Sequence, residues 1–227
     1  MTGRVRLAGT LSDLRLDLGL SGALKAALRG HADLESADKS FDMKATWQPF
    51  SWPLSGQEQL SMQGGELSAG GSLERFQLQG HSELSTPVVQ GLKFALKADG
   101  SPRKLTLSSL KLTLGKGELV TRGDLQLAPH LSWSGETELK QLDPAHFDPQ
   151  LPGAISGTVK SRFDLIQGHW QLAIADLALN GELRGYPLRS SGGASLNERF
   201  QWQADALNLE TGDNRVRLDG SPFKGRG

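Results

Sequence analysis

Short runs in which leucine or valine alternates with polar residues recur from one end of the chain to the other. Examples are Val5-Arg6-Leu7-Ala8-Gly9, Phe76-Gln77-Leu78-Gln79-Gly80, Leu131-Ser132-Trp133-Ser134-Gly135, Leu177-Ala178-Leu179-Asn180-Gly181 and Val216-Arg217-Leu218-Asp219-Gly220. A two-residue period belongs to a β-strand with one dry and one wet face. With almost no helical period between the runs, the expected fold class is all-β: an elongated, curled antiparallel sheet forming a U-shaped trough with an apolar interior. Turn signals recur about every eight to twelve residues, which corresponds to roughly fourteen to sixteen strands. Strand twist accumulates in so long a sheet and forces it to curl. Closure of two sheet halves into a sandwich, burying the apolar face in an ordinary core, stays open as the alternative.

Composition narrows the function. Apolar residues make up 37% of the 227, aromatics 6%, and 25 basic residues balance 25 acidic ones. A neutral chain lacks the electrostatic footprint of a nucleic-acid binder. The absence of cysteine removes disulfides and thiolate metal sites. No apolar run reaches the length of a membrane-spanning helix. The pattern begins at once after Met1-Thr2-Gly3-Arg4 and breaks off after the turn signal Gly220-Ser221-Pro222, as expected for a piece of a longer protein.

Along the chain, Ala23 to Leu34 holds good helix formers but is closely bracketed by Gly22 and Gly30, and a strand is expected there. Pro49 and Pro53 force a loop or an edge. Leu105 to Leu107 and Leu110 to Leu114 read as separate strands, as do Trp170 to Ile174 and Leu177 to Leu179. Asn180-Gly181 between alternating runs is the strongest hairpin signal, a type I′ turn. The clear interruption is residues 141–153, where Asp143 is placed to cap a single helical turn opened by Pro144. The expected organisation is a first trough stretch over 1–140, a proline-rich connector over 141–153, and a second stretch over 154–227 continuous with the first.

No catalytic signature is present: there is no nucleophile elbow, no phosphate-cradling loop and no metalloprotease or calcium motif. His31, His81, His130, His146 and His169 are scattered without ligand spacing and are read as turn or edge residues. Asp143 and Asp148 each precede a proline and suit caps better than an acid–base pair. Trp47, Trp52, Trp133, Trp170 and Trp202 mostly alternate with polar neighbours, as inward strand residues rather than a sugar platform would. The chain is therefore expected to be no enzyme and to need no metal or cofactor. The candidate site is the inward apolar row: Leu16, Leu18, Leu112, Leu114, Leu125, Leu127, Leu172, Ile174, Leu207 and Leu209. Arg15, Asp17, Lys111, Arg215 and Arg217 are expected outside.

Three phrases carry a resemblance. Leu209-Glu210-Thr211-Gly212-Asp213-Asn214-Arg215-Val216-Arg217-Leu218-Asp219-Gly220, Leu142-Asp143-Pro144-Ala145 with Leu151-Pro152-Gly153-Ala154-Ile155-Ser156-Gly157, and Gly181-Glu182-Leu183-Arg184-Gly185-Tyr186-Pro187-Leu188 resemble recurrent phrases of the TamB family. That family, within the AsmA-like group, is the inner-membrane part of the translocation and assembly module. The resemblance implies a periplasmic segment of a parent protein anchored in the inner membrane of a Gram-negative bacterium. It implies a β-taco whose hydrophobic groove carries phospholipid toward the outer membrane, and a parent that reaches an outer-membrane barrel partner, TamA-like. Membrane contact would come only through the parent. The runner-up is a chaperone for outer-membrane β-barrel or autotransporter proteins acting by β-strand addition. The third possibility is a purely structural β-rod.

Overall fold

The computed structural model describes residues 1–54 and 56–220 and is all-β apart from one short 3-10 helix. The chain forms two compact units, residues 1–115 and 116–227.

The first unit holds β1 (Thr2–Thr10), β2 (Asp13–Ser21), β3 (Ala26–Ala32), β4 (Ser40–Trp47), β5 (Phe50–Trp52), β6 (Leu60–Met62), β7 (Gly65–Ser72), β8 (Phe76–Ser85), β9 (Leu92–Gly100) and β10 (Lys104–Leu114). β1 pairs with β2, β2 with β3, β3 with β4, β4 with β7, β7 with β8, β8 with β9 and β9 with β10, all antiparallel. β5 and β6 pair with each other, and β6 meets β8 beyond the end of β7. The pair β4/β5 thus forms one strand line broken at Gln48-Pro49, and β6/β7 forms the next, broken at Gln63-Gly64. The residues between Pro49 and Pro53 therefore make a short paired strand, because Phe50, Ser51 and Trp52 keep their own backbone donors. The Ala23 to Leu34 region is the strand β3, as expected.

The second unit holds β11 (Gly117–Gln126), β12 (Leu131–Leu142), the 3-10 helix Pro144–His146, β13 (Gly153–Ile166), β14 (His169–Leu183), β15 (Tyr186–Asn197), β16 (Trp202–Thr211) and β17 (Asn214–Gly220). Every strand pairs antiparallel with its neighbour in sequence. The connector over 141–153 lies inside this unit, between strands that pair directly. Asp143 caps the helix as its sequence position suggests: its carboxylate accepts Ala145 N–H at 3.0 Å and Gly153 N–H at 2.9 Å. These two bonds hold the Asp143 carboxyl below its usual range. The turn expected at Gly220-Ser221-Pro222 lies, beyond Gly220, outside the described residues.

Two local expectations are corrected. Asn180 and Gly181 are not a turn; they lie within β14, where Asn180 faces Ser156 and Gly181 faces Ile155. The two-residue turn is Arg184-Gly185, with φ of 53° and 80°, directly after the pair Leu183–Tyr186. A type I′ turn needs positive φ at both central residues, and that is the signature found there. The second correction joins the split strands. β10 and β14 are each continuous, with bulges after Leu107 and near Ala175-Asp176. A bulge admits one extra residue, so it restores the phase of the alternation where the sequence slips by one. Leu107 and Leu110, and likewise Ile174 and Leu177, thereby share a face.

The hairpin assignment predicts a contrast in stability. Nothing surrounds the position of a Cβ at Gly185, so Gly185→Val costs only its left-handed backbone, about 1 kcal/mol or more. Asn180→Ala, on an exposed strand position, is expected to leave the unfolding midpoint in urea unchanged.

Candidate apolar groove

Cross-strand partners in an antiparallel sheet point to the same face, so the register can be followed from strand to strand. In the first unit one line runs Val5, Leu18, Leu28, Ala45, Leu67, Gly80, Leu96, Leu110, and the next runs Leu7, Leu16, Gly30, Met43, Ala69, Leu78, Ala98, Leu107. A third runs Gly9, Leu14, Ala32, Phe41, Gly71, Phe76, Gly100, Leu105. A fourth holds Gly3, Leu20, Ala26, Trp47 and Gly65, and is continued by Ser82, Phe94 and Leu112. At the spacings of a β-sheet these rows cover about 20 Å along the strands and about 34 Å across them. The opposite face is mostly polar: Arg6, Asp17, Arg29, Lys44, Ser68, Gln79, Lys97 and Ser109 form one of its lines.

The second unit repeats the segregation. Leu125, Trp133, Phe163, Leu172, Leu196 and Trp202 stand in one row, and Leu119, Leu139, Gly157, Leu179, Ser190, Leu209 and Val216 in another. Ile174 lies between them with Ser161 and Ala194, and Leu207 pairs with Leu218.

The expected site residues fall on these faces with two distinctions. Leu16, Leu18 and Leu112 share the apolar face of the first unit, and Leu125, Leu172, Ile174, Leu207 and Leu209 that of the second. Leu114, at 1% exposure, is sealed, so its side chain belongs to the core rather than to an accessible wall. Leu127 stands one residue beyond β11 and is exposed. Arg15, Asp17, Lys111, Arg215 and Arg217 all stand on polar faces.

Within each unit, no second layer of described residues covers the apolar face. Among the described residues only Ala32, Ala98, Leu114, Val120, Leu188 and Ala204 are buried apolar side chains, whereas Leu172 keeps 43% of its surface. The accessible surface totals 15041 Å². Two compact domains of this combined size would expose about 12,000 Å². The excess and the thin core together weigh against a closed sandwich.

Several polar atoms on the apolar faces are occupied internally. Trp133 Nε1 donates to Ser161 Oγ at 3.0 Å, Ser82 Oγ donates to Gln63 O at 3.0 Å, and the hydroxyls of Thr121 and Thr137 are 2.9 Å apart. Where these atoms are paired, the faces present mainly carbon. Ion pairs stay on the other side: Lys44 with Glu66 at 2.7 Å, Arg29 with Asp17 at 3.6 Å, Lys160 with Asp176 at 3.3 Å. The hydrogen bond and charge of Lys44 hold the Glu66 carboxyl below its usual range.

Glycines on the apolar face have a role the sequence did not disclose. Gly65, Gly100, Gly123 and Gly135 belong to strands and lie against large side chains. A Cβ at Gly135 would stand 2.2 Å from the Trp133 ring, at Gly100 2.1 Å from the Phe76 ring, and at Gly65 2.6 Å from the Trp47 ring. The rings occupy the space a side chain at these glycines would fill, and this arrangement shields the backbone that a missing side chain would expose. The detectable signal was an aromatic residue two positions away on the same strand, or opposite on the next.

No three His, Cys, Asp or Glu side chains converge among the described residues as a metal site would require. No helix there is long and apolar enough to cross a membrane.

The family described as "TamB, N-terminal domain" matches residues 2–222. The chain is similar to the translocation and assembly module subunit TamB of Haemophilus influenzae, with 29% identity over 148 residues, 62% of this chain. That match spans 11% of the relative's length. No solved structure matches the chain.

Proposed function

The chain belongs to the TamB family, and from that premise we propose that its apolar sheet faces conduct phospholipid acyl chains between inner and outer membrane, without catalysis. The observation that carries this reading is the register. Apolar rows, interrupted only at positions such as Ser82 and Ser190, run across the successive long strands of each unit and remain partly open to solvent. An acyl chain laid on such a face recovers about 0.8 kcal/mol per buried methylene. The head group stays in water, so no polar pocket is needed. In this reading the segment works in the periplasm, as part of a parent anchored in the inner membrane that reaches a TamA-like barrel in the outer membrane. The parent would thereby support outer-membrane biogenesis, autotransporter assembly included.

Mass spectrometry of the purified chain after organic extraction is expected to find co-purified phospholipid. Bound peptide without lipid would favour the chaperone reading, and neither would favour a structural rod. Because the chain has no native cysteine, single cysteines report access cleanly. Leu112→Cys and Leu172→Cys are expected to react with a small maleimide in the folded protein and to be protected when phosphatidylcholine is bound. Leu114→Cys is expected to react only on unfolding. Equal protection of all three without lipid would refute an open groove.

A further inference from the structure

Three turns of the second unit lie at one end of its strands: residues 127–130 between β11 and β12, 167–168 between β13 and β14, and 198–201 between β15 and β16. Successive strands are antiparallel, so alternate connections share an end, and these three tips span about 20 Å. In or beside each turn stands one large apolar side chain open to solvent: Leu127 at 46% exposure, Ile166 at 49% and Phe200 at 77%. With each comes a side chain that is cationic or becomes so on protonation: His130, His169 and Arg199.

Phe200 is held outward by its surroundings. Its φ of 55° is a conformation that bulky residues rarely adopt. Asn197 imposes it. The Asn197 Oδ1 accepts from the Arg199 and Gln201 N–H groups, both at 3.0 Å, and its Nδ2 donates to Gln201 Oε1 at 3.0 Å. The Asn197 carbonyl accepts Phe200 N–H at 2.9 Å. The Phe200 ring meets Trp170 edge to face, with centroids 6.4 Å apart. A strained backbone that keeps an aromatic ring in water points to a partner for that ring.

Charge identifies the partner. Glu198 is the one carboxylate within the three turns, and it is occupied by His169 at 3.1 Å and Arg199 at 3.8 Å. Asp164 stands further back, inside β13, opposite Ser132 and Gln171. The turns therefore offer phosphate groups cations without a free carboxylate. Apolar tips set among basic groups match the boundary between the acyl chains and phosphates of a bilayer. We propose that this rim of the second unit docks on a phospholipid bilayer surface, with Leu127, Ile166 and Phe200 entering the acyl boundary and Arg199, His130 and His169 meeting the phosphates. The opposite rim also exposes Phe147 and Tyr186, but its connections carry the carboxylates Asp148 and Asp213. The contact would be the chain's own, in addition to the parent's anchor, and does not depend on acyl chains passing along the apolar face.

Flotation of the 227-residue chain with vesicles of phosphatidylcholine and phosphatidylglycerol in equal parts tests the docking. The chain is expected to float, and the double variant Ile166→Ser/Phe200→Ser to need about tenfold more lipid. Both side chains are exposed, so the double variant should keep its urea midpoint. Tyr186→Ser, on the opposite rim, is expected to float like the unaltered chain. In otherwise unaltered chains, an environment-sensitive dye on Gln167→Cys should shift to the blue when vesicles are added, and the same dye on Asp213→Cys should not. Failure to float, equal flotation of the double variant, or equal dye shifts at both positions overturns the proposal. Lipid taken up without flotation also overturns it, while leaving acyl-chain passage along the apolar face intact.

Discussion

Cells that depend on the parent protein are expected to lose outer-membrane integrity when Leu112→Asp or Leu172→Asp is introduced, at unchanged protein abundance. Both residues stand on the apolar faces, opposite Phe94 and Phe163 respectively. Leu172 keeps 43% of its surface, so a carboxylate there stays hydrated and should cost the fold only about 1–2 kcal/mol. For an acyl chain in transit the same carboxylate is a polar barrier across its path. The matched controls shift one residue along the strand, which moves the charge to the polar face. Thr113→Asp would face Lys93 and Ala173→Asp would face Arg162, both favourable pairs. These two are expected to complement fully. If inward and outward changes behave alike at equal immunoblot levels, the apolar face is not a conduit.

The largest effect on stability is expected from Gly135→Val. Its added carbons would collide with the Trp133 ring, 2.2 Å from the first of them, and with the Arg122 carbonyl at 2.6 Å. The indole must leave its seat, breaking its bond to Ser161 Oγ, and the strand pair β11–β12 must part locally. Overpacking of this kind, combined with a lost hydrogen bond, should cost about 3 kcal/mol or more. Gly19→Ala supplies the comparison. A Cβ there meets nothing within 4 Å, and the position lies opposite Arg4 on the polar face. It is expected to be neutral or slightly stabilising, by a few tenths of a kcal/mol, through reduced freedom of the unfolded chain. Equilibrium denaturation of the two variants distinguishes a glycine required by packing from one that is merely tolerated. Equal midpoints for both would rule out the seated-ring explanation.

Much of this fold was legible because a strand's two-residue period writes its facing directly into sequence. Leu16 and Leu18 against Arg15 and Asp17 needed no further information. The errors arose where a local signal competed with pairing. Asn180-Gly181 has the chemistry of a tight turn, but the alternation Leu177, Leu179, Gly181, Leu183 runs straight through it. Fourteen residues of β13 stood ready to pair with that longer strand. The adjacent Ser108-Ser109 in β10 looked like a strand boundary and proved to be a bulge. Leu114 and Leu112 were indistinguishable by period, since period reports a face and not what covers it.

A final consequence lies in the connectivity. Within each unit the strand lines pair in chain order, with only short turns or the connector between them, so the entropy of loop closure is small at every step. Such a sheet resembles a zipper more than a knot of distant contacts. Its stability accumulates from neighbour to neighbour, as in solenoid arrays, and its growth can start at any hairpin. A polypeptide emerging slowly from a secretion channel could therefore gain its final order hairpin by hairpin, each new strand templated by the one just laid down. The greasy side would never need to wait, uncoordinated, for a partner hundreds of residues away.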